Sequence, residues 1–212
     1  MLDNMYQQLK VGKNKQQLGY HSMYNYYKLI NVMFNQAIKW ELLDRNPNLK
    51  ANKPKREKKE RNYYDLEQVD TLLSYLEYEN IKYRTLITLA LDSGARRSEI
   101  CALRWSDINF DTQMMKIDKS LKVIRGVVDE ATTKTENSKR EIMLSKSTIN
   151  LLKEYKEWQD NYIKWIGKKW QGTDRIFTSK EGNYMHPSTC DHIMRKIVKK
   201  YNLAPICFHE LR

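Results

Sequence analysis

From Lys50 to Arg61 the chain carries seven lysines or arginines and a single apolar side chain, Ala51. A stretch of that kind buries too little surface to offset the entropy of ordering it. It reads as an exposed, positively charged linker, so the rest of the chain has to fold on either side of it. The expected division is a helical piece over residues 1–49, a linker over 50–62 and a larger domain over 63–212.

Each side has its own pattern. Met23, Tyr26, Tyr27, Ile30, Met33, Phe34, Ala37 and Ile38 recur at helical spacing, which predicts one amphipathic helix from Ser22 to Trp40. Asn46-Pro47 then imposes an extended or turn conformation. Beyond the linker, Asp65 is placed to cap a helix starting at Leu66, with Gln68 three residues on as its capping-box partner. Leu66, Val69, Leu72, Leu73 and Leu76 supply its buried stripe. A further helix is expected from Ile81 to Leu91, broken by Ser93-Gly94, and a short one from Arg96 to Leu103. Three segments rich in Ile, Val and Met (Met114–Asp118, Leu121–Val128, Arg140–Leu144) predict a small antiparallel sheet, with 132–142 as a hairpin turn and its shoulders. Helical spacing returns over Ile149–Ile166 and again over Pro187–Lys200. The fold class is α+β, mainly helical with a small antiparallel sheet.

The formal net charge is +12. That excess favours a polyanionic partner, nucleic acid before others, because Lys and Arg displace the counterions condensed on phosphates. Lys50, Lys53, Lys55, Arg56, Lys58, Lys59, Arg61, Lys139 and Arg140 are candidate DNA contacts on this ground. A basic surface kept for solubility fits the same composition. Three widely spaced cysteines, Cys101, Cys190 and Cys207, form no CxxC pair and argue against a disulfide framework or a zinc site. No apolar run approaches the roughly 18 residues of a membrane span. Met1 to Tyr6 lacks the basic flank and apolar core of a secretory signal, so a cytoplasmic protein is expected.

Three short motifs carry candidate chemistry. In Ser93-Gly94-Ala95-Arg96-Arg97-Ser98-Glu99, a glycine turn delivers an arginine to a helix start, and Glu99 can brace it from three residues on. Arg97, its neighbour, points about 100° away on a helix. In Thr132-Thr133-Lys134-Thr135, a lysine rides on the turn region, with Lys139 as a competitor further along. In Phe208-His209-Glu210-Leu211-Arg212, a histidine and an arginine at i and i+3 share a helical face. Taken singly, each fits an ordinary structural role.

In this order the three are similar to the catalytic domain of the tyrosine recombinases of the phage integrase family, and Asn35-Gln36-Ala37-Ile38-Lys39-Trp40 with Asn46-Pro47 resembles the end of that family's helical core-binding (SAM-like) domain. The resemblance implies a site-specific DNA recombinase of a phage or mobile element, which cuts and rejoins double-stranded DNA through a phosphotyrosyl intermediate. It implies Arg96 and Arg212 as phosphate ligands, Lys134 as the acid for the leaving 5′-oxygen, His209 as a proton-handling group and Glu99 in support, with no metal and no other cofactor. It places the nucleophilic tyrosine after the His-xx-Arg motif. Tyr184 and Tyr201 do not match that place and read as structural, so this chain by itself is expected to bind DNA and not to cleave it. A tetramer on DNA for the parent enzyme, a monomer in solution for this chain and a nucleoid-associated bacterial or phage-encoded protein complete the expectation. The alternative is a non-catalytic DNA-binding protein with an integrase-like fold.

Overall fold

A computed structural model describes residues 2–10, 17–55, 62–132, 139–172 and 174–212. The chain forms two compact units, residues 1–60 and 61–212.

In the first unit, helix α1 (Leu2–Lys10) and helix α2 (Tyr20–Lys39) meet a 3-10 turn at Pro47–Lys50. The Asn-Pro pair works through side-chain amides. Buried Asn46 accepts from the backbone N–H of Asn48 at 2.9 Å and donates to the side-chain oxygens of Asn31 and Asn35 at 2.9 and 2.6 Å. Asn48, fully buried, accepts from the Tyr6 hydroxyl at 2.5 Å and donates to the Tyr27 carbonyl at 3.2 Å. This network latches the turn and α1 onto α2. It covers only part of the apolar face predicted for α2: Met23 is buried, while Met33 is 62% exposed. The cover is narrower than the stripe.

The second unit opens with α3 (Leu66–Leu76), capped as expected. Asp65 accepts from the Gln68 N–H at 2.8 Å and the Gln68 side chain accepts from the Asp65 N–H at 3.1 Å; such a cap contributes about 1 kcal/mol. Leu72 and Leu76 are buried, but Leu66 is 84% exposed, because the first turn projects past the core. Helix α4 (Ile81–Ser93) ends where Gly94 adopts the left-handed conformation at φ +56. The helix expected over Arg96–Leu103 is only the single turn α5 (Arg97–Ile100). Downstream the chain is drawn into extended pairing: Trp105 N–H donates to Asp174 O at 2.9 Å, and Ile176 N–H to Leu103 O at 3.0 Å.

Among the described residues five strands follow: β1 (Ile108–Asn109), β2 (Met114–Ile117), β3 (Lys119–Ile124), β4 (Val127–Thr132) and β5 (Arg140–Met143). They make a three-stranded antiparallel sheet, β1-β2-β5, and a two-stranded one, β3-β4. The strand expected over Leu121–Val128 is split by a tight turn. Arg125 (φ +51) and Gly126 (φ +82) both take positive φ, the geometry that matches a two-residue turn to strand twist. The hairpin turn expected over 132–142 falls largely on residues 133–138, which lie outside the described residues. Thr132 pairs with Lys119 and Arg140 with Ile117, so the ladder passes from one to the other across a single residue of the opposite strand, Asp118.

Helix α6 (Lys146–Ile166) and helix α7 (Ser188–Lys200) close the unit. Its core joins Leu86, Ile100, Leu152, Phe177, Met194 and Phe208 from different elements. Polar groups inside are paired: Trp105 Nε1 donates to Gln159 Oε1 at 2.7 Å, and Gln159 Nε2 to the carbonyl of Ile176 at 3.1 Å. The last segment is a 3-10 turn, Phe208–Leu211, and not an α-helix; Phe208 and Leu211 anchor it in the core.

Candidate functional site

An open cavity of about 630 Å³ lies among α5, α7 and the final 3-10 turn, lined by Arg96, Arg97, Ser98, Asp191, Arg195, Cys207 and His209. Three guanidiniums and an imidazole thus share a wall with one carboxylate. Asp191 is engaged by the Arg97 guanidinium, and the Arg195 Nε donates to its main-chain oxygen at 3.2 Å. That leaves Arg96, its side chain 51% exposed, as the guanidinium in the lining held from behind by another carboxylate, Glu99.

The hold is specific. Glu99 is 2% exposed. Its Oε2 accepts from the Arg96 backbone N–H at 2.8 Å and its Oε1 from Arg96 Nη1 at 2.9 Å. The N–H that a helix start would leave for an anion is therefore spent on Glu99. Arg140, from the start of β5, reaches the same carboxylate from 41 residues away, Nη2 to Oε2 at 2.7 Å and Nη1 to Oε1 at 3.3 Å. Burial alone pushes a carboxyl's pKa up; here the Arg140 and Arg96 donors outweigh it and hold Glu99 below the usual carboxylate range.

Gly94 sets the direction of approach. Its left-handed cap turns the chain out of α4 two residues before Arg96, and a β-carbon at this position would lie 3.7 Å from Arg212 Cγ. Arg212 is thus packed at the same corner as the turn that delivers Arg96. His209 and Arg212 stand three apart on or beside the 3-10 turn, where i and i+3 eclipse. Cys207 lines the cavity as a neutral thiol, since burial and the neighbouring Glu210 carboxylate push its pKa up.

Lys134 lies outside the described residues, as do Arg56, Lys58, Lys59 and Arg61. Lys139 is exposed. Lys50 closes the 3-10 turn of the first unit, Lys53 sits over the Tyr24 ring at 5.5 Å and Lys55 is exposed. Asn52 N–H donates to Asp3 at 2.8 Å, so the basic stretch begins folded against its own unit. Tyr184 has Arg175 over its ring at 3.9 Å; Tyr201 stacks on Tyr75 at 4.4 Å and donates to Glu79 at 3.0 Å. No tyrosine lines the cavity among the described residues. Nor, among those residues, does any group of three or more His, Cys, Asp or Glu converge as a metal site would require. Arg195, Asp191 and the second grip on Glu99 were missed by sequence reasoning. Arg195 falls on an exposed, basic face of α7, but no spacing in the sequence ties that face to Arg96.

The fold and the cavity together define a mainly helical α+β domain that presents a carboxylate-braced arginine beside a His-xx-Arg turn, the architecture of a tyrosine recombinase catalytic domain. The chain belongs to the phage integrase family, whose model matches residues 62–212. It is 28% identical over 194 residues to the ICEBs1 integrase of Bacillus subtilis (strain 168), covering 90% of this chain and 52% of that protein. It is also 28% identical over 178 residues to the integrase of Staphylococcus phage L54a, covering 74% and 48%. The chain thus spans about half the length of these relatives. Among solved structures, the Tn1549 transposon integrase in complex with a circular intermediate DNA superposes with a TM-score of 0.80 at 17% identity, over 97% of this chain and 68% of that one. A lambda integrase dimer bound to a COC′ core site gives 0.63 at 19%, over 91% and 50%.

Proposed function

We propose that this chain is part of a site-specific recombinase of a phage or other mobile element, and that its cavity grips a phosphate of duplex DNA for strand exchange through a phosphotyrosyl link. The observation that carries the reading is the convergence of a braced Arg96 with His209 in one cavity, while Arg212 packs at the turn that delivers Arg96. When a tyrosine oxygen attacks phosphorus, charge grows on the non-bridging oxygens. Guanidiniums already fixed beside them stabilise that state, each such donor contributing a few kcal/mol. In this reading Arg96 and Arg212 are the phosphate ligands, Glu99 supports Arg96, Lys134 protonates the departing 5′-oxygen and His209 handles a proton at the phosphate. The relatives support the context: their names are those of integrases of a phage and of ICEBs1, and the two structural neighbours are integrases on DNA.

The first unit we read as the end of a helical core-binding domain, and the Lys50–Arg61 stretch with Lys139 as basic surface that follows the DNA backbone. The parent enzyme would work as a tetramer on two DNA sites, with this chain monomeric in solution; light scattering tests the latter. A location at the nucleoid follows from the same partner.

Fluorescence anisotropy on a labelled duplex tests the central reading. The chain should bind non-specific duplex at physiological salt with a dissociation constant on the order of 10⁻⁴–10⁻⁶ M, tightening steeply as salt is lowered. Arg96→Gln and Arg212→Gln should each weaken it by about tenfold, the loss of one charge-assisted hydrogen-bonding group. Wild-type-like binding by both variants would sink the assignment. A covalent adduct of this chain with a nicked suicide substrate would overturn the expectation that it does not cleave DNA by itself.

A further inference from the structure

We propose that Arg140 is a positioning residue of the phosphate site and not a DNA contact: together with Glu99 it fixes where the Arg96 guanidinium can stand. The inference rests on the reading of Arg96 as a phosphate ligand.

A carboxylate offers about four acceptor positions. At Glu99 all are used, two by Arg96 (its backbone N–H and Nη1) and two by Arg140 (Nη1 and Nη2). Arg140 takes one donor to each oxygen, the forked arrangement that sets the plane of a carboxylate as well as its place. Arg96 touches the group through one side-chain nitrogen only. Without the fork, the carboxylate is free to rotate about its last bond and to follow Arg96; with it, Nη1 of Arg96 has one position to meet.

Charge points the same way. Two guanidiniums against one carboxylate leave the cluster with one net positive charge, so Glu99 braces Arg96 without cancelling it. Both terminal nitrogens of Arg140 are committed to Glu99 and its side chain is 29% exposed, against 51% for Arg96. A phosphate would meet Arg96 first. Arg140 also opens β5 and pairs with Ile117 of β2, so the fork is mounted on the three-stranded sheet. The sheet therefore reaches the cavity through Arg140 and Glu99, and that is its mechanical link to Arg96.

The test uses the whole chain with inorganic phosphate and a labelled duplex as probes. Arginine Nε–H signals are followed by NMR during the phosphate titration, and DNA affinity is measured against salt. Arg140→Gln should move the Arg96 signal before any phosphate is added and weaken phosphate binding by about tenfold. It should leave the salt slope of DNA binding unchanged, because no phosphate contact is lost. In a Glu99→Gln background the same substitution should have no further effect, as expected of two residues acting through one another. Arg140→Lys keeps the charge but cannot fork. It should hold the melting temperature near wild type while phosphate binding stays weakened, a split that a merely structural ion pair does not produce.

Two results overturn the proposal. One is a salt slope reduced by about 0.9 with the Arg96 signal and phosphate affinity unchanged, which is the signature of a direct backbone contact. The other is wild-type phosphate affinity in Arg140→Lys, which decides the matter even where Arg140→Gln fails to fold. If Arg96→Gln itself leaves phosphate and DNA binding intact, the phosphate reading fails, and the two failures stay distinct.

Discussion

Gly94 offers a quantitative check on how the backbone builds this site. It caps α4 at φ +56, and a β-carbon there would meet nothing closer than Arg212 Cγ at 3.7 Å, an ordinary van der Waals contact. Space is therefore not the constraint; conformation is. For an L-residue with a β-carbon the left-handed region costs roughly 1–2 kcal/mol. Replacing glycine by alanine also stiffens the unfolded chain, which returns about 0.4–1 kcal/mol. Gly94→Ala should thus destabilise the second unit by about 1 kcal/mol. For a domain of this size that lowers the melting temperature by about 2–4 °C. Asparagine visits the left-handed region more readily, so Gly94→Asn should lose less than alanine. Calorimetry of the three proteins reads the difference directly. A Gly94→Ala protein as stable as wild type would refute the conformational account; so would an asparagine variant that fares worse than alanine, since that ordering is set by bulk.

Other perturbations test other parts. Glu99→Gln breaks the clamp on its buried side and should cost about 2 kcal/mol at pH 7, reduced from a fully buried pair because both arginines are partly exposed. Glu99 titrates below its ordinary value of 4.5, so its contribution is complete above that pH and lost as pH falls through the folded value. Melting temperatures of wild type and variant should converge on acidification, and parallel curves would contradict the assignment. Asn46→Ala removes the amide that ties the 3-10 turn to α2 and should cost the first unit roughly 2 kcal/mol. Hydrogen exchange should rise over 20–50 and not over 66–76. Trp105→Phe strands the buried Gln159 Oε1 and should lower stability by about 1–3 kcal/mol in denaturant titrations.

What could be read from the sequence was local. The Asp65 cap needs only Gln68 three residues away, and the end of α4 needs only Gly94. The amphipathic stripes of α6 and α7 likewise announce themselves. So did the strands at Met114–Ile117 and Arg140–Met143, but the two-stranded ribbon did not, because its turn at Arg125-Gly126 sits inside a run of apolar and β-branched residues and lacks the usual asparagine or aspartate. Arg96–Leu103 looked helical until a remote partner, residues 174–176, pulled Leu103–Trp105 into extended pairing. At the site, Glu99 was visible as the i+3 partner of Arg96, but its second grip comes from 41 residues away and leaves no periodic mark. Arg140 was therefore grouped with surface cations. Arg195 and Asp191 share the cavity only because α7 packs beside α5.

The ladder that steps from Lys119↔Thr132 to Ile117↔Arg140 has a practical consequence for anyone re-engineering the protein. β2 and β3 are separated by Asp118 alone, so Ile117 and Lys119 carry the two registers on one short run of chain. A glycine inserted after Asp118 should therefore cost about 1 kcal/mol and lower the melting temperature by about 2–4 °C; an unchanged melting temperature would mean the two sheets do not depend on that spacing. That short run acts as a pin: one residue of chain sets how the sheet that carries Arg140 stands against the β3-β4 ribbon.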